Sequence, residues 1–206
     1  MKVLIIGASG ATGHWLVRGA LAQGRQVTAF VRNPDAWKAP EGVRVAKGDA
    51  RDAASLDAAL AGQDAVLSAF GPRSMRAGDL QETFMRNLVT GMRKQGVRRL
   101  VNLSALGMGD SVRAAPFLFR AVILPLFLRN VFADKARGEA LLFAGGLDYV
   151  NVCPGRLLNS PAKGGVKASL DGKDTHWTMS REDLAGFMLA QLGSDVWLGK
   201  SVLIGY

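Results

Sequence analysis

Apolar residues in this chain come in short unbroken runs separated by longer segments of helical period. The first run, Val3-Leu4-Ile5-Ile6, is apolar at every position, as expected of a strand covered on both faces. Comparable runs predict strands over 26–31, 43–46, 65–69, 99–103, 149–152 and 201–204 in addition to 2–6. Helices are predicted in the gaps, over 12–22, 53–61, 80–95, 133–144 and 181–192. Gly24 and Gly96 follow two of these as C-terminal stops, and Ser180 with Asp183 makes a capping-box-like start in which Asp stands in for Glu. Strand and helix alternating almost to the end is the pattern of a parallel sheet covered by helices. The predicted fold class is α/β, a single Rossmann-type doubly wound parallel sheet with helices on both faces, one domain over 1–206. Two stretches, 107–132 and 154–178, break the alternation. Both follow strands at whose carboxyl ends ligands bind in open α/β sheets, so they are the predicted substrate walls.

The first apolar run leads straight into Gly7-Ala8-Ser9-Gly10-Ala11-Thr12-Gly13, whose glycines are spaced GxxGxxG. Between a strand and a helix, Gly7 lets the chain turn, Gly10 admits a pyrophosphate and Gly13 lets the helix lie close to the strand. A glycine triplet alone is equally a tight turn, and it is the surrounding alternation that favours a dinucleotide. The second run ends Val31-Arg32-Asn33-Pro34. An NAD-selective site carries Asp or Glu there for the ribose hydroxyls, whereas Arg suits a 2′-phosphate. Arg32 therefore predicts NADPH (NADP+) as cofactor, the alternative being a solvated cation at a strand end. Lys47 either adds charge to the same pocket or is a surface strand residue.

Composition narrows the classes. With 206 residues, 49% of them hydrophobic, the chain can bury one sizeable core. A net charge of +9 would suit nucleic acid, but Lys and Arg are scattered and lack aromatic interleaving except near 117–132. No nucleic-acid partner is expected, and an anionic cofactor or substrate accounts for part of the excess. Cys153 is the single cysteine; it can close no internal disulfide and reads as a buried structural thiol in a reducing cytoplasm. Two histidines and one thiol, with no acidic residues at ligand spacing, predict no metal site. The opening apolar run is too short for a signal peptide. The longest apolar tract, 116–128, is broken by Arg120 and Pro125 and too short to span a bilayer, so no transmembrane segment is predicted. A monomer or weak homo-oligomer is expected.

Candidate site residues fall at predicted strand ends. Asp49, after the third strand, is either an acceptor for an adenine amino group, with Ala50 against the ring, or a turn aspartate. After the fourth strand, Ala69, Phe70, Gly71 and Arg73 lie in a small glycine-containing loop that borders a cofactor ribose or is a generic turn. Ser104, ending the fifth strand, either hydrogen-bonds a carbonyl or nicotinamide amide or is a plain strand-end serine. Lys135 either binds the nicotinamide ribose or forms a helix-surface ion pair with Glu139 at i+4. Ser104 and Lys135 are the catalytic candidates. Ala11 in the glycine turn and Pro154 at the end of the sixth strand complete the cofactor set.

Taken together, GASGATG, the VRNP strand end, GDA, SAFGPR, LSA and DK…E…GLDYVNVCPGRL resemble the NmrA-like, NAD(P)-binding group of atypical short-chain dehydrogenases. Length and the stretch SLDGKDTHWTMSREDLAGFML are similar to its flavin reductase, or biliverdin-IXβ reductase, branch. The resemblance implies that Gly7, Ser9, Gly10, Thr12 and Gly13 contact the pyrophosphate, Arg32 the 2′-phosphate, Asp49 and Ala50 the adenine, and Ser104 the nicotinamide region. It also implies direct hydride transfer to a planar acceptor stacked over the nicotinamide.

Two departures from that pattern matter. Typical short-chain dehydrogenases pair the lysine with a tyrosine four residues before it, and here that residue is Val131. Without this proton donor, simple carbonyl reduction is disfavoured, and a conjugated acceptor (flavin, bilin or quinone) that takes its proton from solvent is expected. The stretch 117–132 reads either as an aromatic platform or as a kinked, partly buried helical pair, and Arg113, Arg120, Arg129 and Arg156 are candidates for acceptor carboxylates or phosphate. Gly155-Arg156 stands where the branch has a histidine, which argues against biliverdin itself. The competing readings are a non-catalytic NADP(H)-sensing regulator and a quinone-linked reductase at a membrane surface.

Overall fold

The structure, a computed structural model, describes residues 1–71, 78–106, 129–172 and 175–206. In chain order its elements are β1 (Lys2–Ile6), α1 (Ala11–Ala22), β2 (Gln26–Val31), a 3-10 turn (Pro34–Ala36), β3 (Val43–Lys47), α2 (Ala53–Leu60), β4 (Ala65–Ser68), α3 (Leu80–Lys94), β5 (Arg99–Leu103), α4 (Arg129–Phe143), β6 (Asp148–Pro154), β7 (Arg156–Leu158), β8 (Lys167–Ser169), β9 (Thr178–Ser180), α5 (Arg181–Ala190), a second 3-10 turn (Gln191–Gly193) and β10 (Lys200–Gly205). The main sheet has the order β3-β2-β1-β4-β5-β6-β10-β8. Its strands pair in parallel from β3 through β10, and β8 joins the edge antiparallel to β10.

The first apolar run explains the layering. Val3 and Ile5 face a core built with Leu16 and Val17 of α1 and Met188 of α5, while Leu4 and Ile6 face another built with Leu56 of α2 and Phe84 and Leu88 of α3. None of the four strand residues is more than 1% exposed, so a polar residue at any of them would sit in a core on one face or the other. Truncating one to Ala removes packed methyl groups at a cost of about 2–5 kcal/mol. The helix ends follow the punctuation in the sequence. Gly24 and Gly96 adopt φ of +68° and +70°. Ser180 Oγ accepts from the Asp183 amide at 3.0 Å, capping α5.

Three differences from the sequence reading stand out. Helix α4, over Arg129–Phe143, takes in residues ahead of the predicted start at 133; the first two are exposed and carry no apolar period that would announce them. Strand β4 ends at Ser68, although the Ala69 amide still reaches the Ile6 carbonyl at 2.9 Å. Two short strands form within the predicted wall 154–178 and a third starts at its end: β7 pairs in parallel with β9, and β8 extends the main sheet. Three-residue strands are too short to display a period. Most of the other wall, 107–132, lies outside the described residues.

Candidate functional site

Strand β1 lies between β2 and β4, so the connections leaving it and β4 diverge to opposite sides and open a crevice at their carboxyl ends. The turn there is glycine for steric reasons. Gly7 adopts φ +80°, and a Cβ on it would lie 2.6 Å from the Ala69 carbonyl oxygen. A Cβ on Gly13 would come within 2.0 Å of the Gly7 carbonyl oxygen, so Gly13 fixes how closely α1 approaches the turn. Gly10 is the N-cap of α1; it offers no side-chain cap, and the first turn carries no acidic residue. The helix therefore presents its first amides and the positive end of its dipole without an internal anion.

In front of this turn is a cleft of about 1120 Å³. Gly7, Ser9, Gly10, Ala11, Thr12, Arg32, Asp49, Ala50, Ala69, Phe70 and Gly71 all line it, so residues from four separate strand ends meet at one surface. Arg32 is exposed at the rim. Asp49 turns Oδ1 back to the Arg51 amide at 2.9 Å, and Asn87 of α3 ties the same loop down through the Arg51 carbonyl at 3.0 Å. Phe70 is backed by the Phe84 ring at 4.2 Å between centroids. Gly13, Ser104, Lys135, Pro154 and Lys47 are not among the described lining. Arg73, with Arg113, Arg120 and the aromatic residues of 117–128, lies outside the described residues.

Three lining residues carried no signal in the sequence. Arg51 bridges to Asp79, at the start of α3, at 3.0 Å. Arg181 lines the cleft from the first turn of α5 and is steadied by the Asn159 side-chain oxygen at 2.7 Å. Asp134 of α4 accepts from the Gln81 and Glu82 amides at 2.9 and 3.1 Å, so one helix caps the N-terminus of another across the fold. No local pattern announces a cap contributed from so far along the chain.

A second cluster lies between the ends of β5 and β6 and the inner face of α4. Ser104 Oγ donates to Glu139 Oε1, which also accepts from Asn151 Nδ2 at 3.2 Å. Asn151 Oδ1 in turn accepts from Asn102 Nδ2 at 2.8 Å. Glu139 is only 7% exposed, which excludes the helix-surface ion pair with Lys135 weighed from the sequence. The Lys135 ammonium donates to the Leu103 carbonyl at 3.3 Å. Burial pulls its pKa below the usual lysine range, against the opposing attraction of Glu139. Burial pushes the Cys153 thiol up to about 12, with the Glu139 charge adding to the effect and Ser104 and Lys135 opposing it. The thiol is thus a neutral packing group, as its apolar strand suggests. No group of three or more metal-ligating side chains occurs among the described residues.

Both tyrosines of the chain have committed hydroxyls. Tyr149 Oη donates to the Gly199 carbonyl at 2.9 Å, and Tyr206 Oη donates to Asp183 at 2.6 Å. Val131 itself lines the cleft, so an aliphatic side chain stands four residues before Lys135.

Comparison with known proteins adds the following. A family profile described as NAD(P)H-binding matches residues 7–195. Sterol demethylase protein B of Methylococcus capsulatus is 39% identical over 115 residues, 52% of this chain and 35% of that protein. The chain thus spans about a third of that relative's length. The anaerobillin reductase ChuY of Escherichia coli O157:H7 superposes with a TM-score of 0.84 at 26% identity, covering 100% of this chain and 97% of the other. A short-chain dehydrogenase/reductase of Veillonella parvula, solved in complex with NADP, superposes with a TM-score of 0.83 at 18% identity, covering 100% and 94%; that likeness is one of fold.

Proposed function

The chain belongs to the NAD(P)H-binding family, and from that premise we propose that it is an NADPH-dependent reductase that delivers hydride to a planar conjugated acceptor such as a flavin, bilin or quinone. The cleft fits a dinucleotide on its own geometry. Uncapped helix amides face it, and glycines stand where a Cβ would strike backbone. Ser9, Gly10, Ala11 and Thr12 would hold the pyrophosphate, Arg32 the 2′-phosphate, and Asp49 and Ala50 the adenine. Arg32 carries the choice of NADPH over NADH, because an arginine on the cleft wall at the end of β2 offers charge to a phosphate and repels nothing there.

When bound, the reduced nicotinamide supplies the hydride. The chain's own part is orientation and charge. Phe70 and Gly71 line the cleft, and Lys135 places its amine beside the ends of β5 and β6. Neither tyrosine hydroxyl is free to protonate a carbonyl oxygen. That commitment is the observation favouring an acceptor that spreads the incoming charge over its ring system and draws its proton from solvent. The family likeness of fold to a bilin reductase points the same way by analogy.

The deciding experiment is oxidation of NADPH by catalytic amounts of protein with FMN, FAD, riboflavin, biliverdin and small quinones, NADH being run in parallel. Multiple turnovers with one acceptor and a preference for NADPH are expected. Tight NADPH binding without turnover of any acceptor would favour a nucleotide-sensing regulator instead, the reading motivated by Val131 in the tyrosine position.

A further inference from the structure

Charge along the cleft is unevenly paired. Asp49 and Asp134 accept from backbone amides, and Arg51 is bridged to Asp79. Two further arginines of the lining, Arg32 and Arg181, make no ion pair among the described residues. Arg181 is the more firmly held. It is partly buried, and its Nη1 donates to the Leu157 carbonyl at 3.3 Å and to Asn159 Oδ1 at 2.7 Å. Those two bonds use both Nη1 hydrogens and leave the edge formed by Nε and Nη2, whose parallel N–H groups match two oxygens of a phosphate or carboxylate. The acids that follow it in α5 do not compete for that edge. Glu182 accepts from the Ala162 amide at 3.1 Å, and Asp183 from the amides of Lys163 and Gly164 at 2.8 and 3.1 Å. Leu157 and Val131 line the same cleft and offer apolar surface to a ring. Arg156, the neighbouring candidate from the sequence, is exposed and is not among the described lining.

NADPH has two anionic centres, the 2′-phosphate and the pyrophosphate, and on the reading above they lie at Arg32 and at the uncapped amides of α1. Arg181 is a third positive position, with no group of the cofactor left to meet it. Its anchors, Leu157 and Asn159, follow β6, whereas Arg32 follows β2. The sheet order separates these two strands by β1, β4 and β5, about 19 Å at the usual strand spacing. We propose that Arg181 determines acceptor specificity: its open Nε and Nη2 edge takes a phosphate or carboxylate borne on a side chain of the planar acceptor, so that anionic acceptors are preferred to neutral ones of the same ring system. This rests on the reductase reading above and names the class of acceptor it uses.

The test uses acceptors matched in ring and differing in charge: FMN against riboflavin for a phosphate, and biliverdin against its dimethyl ester for carboxylates. The ratio of kcat/KM within each pair is the readout, taken from NADPH oxidation by the wild-type protein, Arg181→Met and Arg181→Lys, with the NADP+ dissociation constant of each measured by calorimetry. One charge-assisted contact predicts a wild-type preference of about ten- to a hundredfold for the anionic member of a pair, and the pair that shows it tells phosphate from carboxylate recognition. Arg181→Met keeps an apolar stem without the charge, so the ratio falls toward one while NADP+ binds as in the wild type. Arg181→Lys keeps the charge without the fork, so the ratio falls several-fold and stays above one; it carries the test should the methionine variant fail to fold. Wild-type ratios near one in both pairs, or a preference that survives Arg181→Met, overturn the proposal and leave the reductase reading standing. Loss of NADP+ affinity by about tenfold in Arg181→Met, the value of one such contact, would assign the guanidinium to the cofactor and overturn it equally. NADPH binding without turnover of any of these acceptors overturns the proposed function and this inference with it.

Discussion

Single residues divide here into those whose chemistry is legible from type and place and those whose neighbours decide it. Arg32 is of the first kind: a guanidinium at a strand end, exposed on the cleft wall. Arg32→Ala is expected to weaken NADPH binding by ten- to a hundredfold, the value of one charge-assisted contact, and to leave NADH binding nearly unchanged; equal losses in fluorescence titrations would remove the 2′-phosphate role. Cys153 is of the second kind. Its strand suggested burial, but the thiol value of about 12 comes from desolvation and then from Glu139, with Ser104 and Lys135 pulling the other way. The native protein should therefore resist alkylation at neutral pH and react fully once denatured, and rapid native labelling by a maleimide would show that the strand end is open. Glu139 was visible only as a partner for Lys135 at i+4. Its burial and its bond to Ser104 arise from β5 and β6, far away in sequence.

At the level of elements, the glycine turn and α1 form the unit most fully written in local sequence. The spacing of Gly7, Gly10 and Gly13 announces a strand, a turn and a helix, and the structure supplies the distances that make two of them obligatory. Gly10→Val is expected to abolish cofactor binding while the helical circular dichroism persists, since its side chain would stand over the α1 amides; retained affinity would reduce the motif to a turn. By contrast, the N-terminus of α3 was unreadable. Its own Asp79 makes no capping hydrogen bond, and the cap comes from Asp134 on α4. Asp134→Ala should cost about 1–2 kcal/mol, as for loss of a helix cap. Chemical denaturation measures that loss directly, and an unchanged midpoint would show that solvent satisfies the two amides equally well.

At the scale of the whole fold, one carboxylate of α5 gathers segments that lie far apart in the chain. Tyr206, Ser180 and the amides of Lys163 and Gly164 all donate to the Asp183 carboxylate. Partial burial alone would raise that group; the hydrogen bonds outweigh it and hold the carboxyl below its ordinary 3.8. A depressed folded pKa means that the stabilisation is complete above that ordinary value and is lost as pH falls through the lower folded one. The stability difference between wild type and Asp183→Asn should accordingly be largest near neutral pH and shrink in acid, and a pH-independent difference in urea titrations would contradict it. No helix among the described residues is long and apolar enough to cross a membrane; the tract 116–128 lies outside them. By itself the sequence determined the alternation of strands and helices, the two-faced burial of β1, the glycine turn and the arginine at the end of β2. These depend on spacing within a dozen residues, and backbone sterics and hydrophobic period act at that range. Tertiary structure alone decided that Arg51, Arg181 and Asp134 share one cleft and that Glu139 takes the Ser104 proton. Those contacts join segments from different strand ends, and only the order in which a parallel sheet stacks its strands brings them within hydrogen-bonding reach.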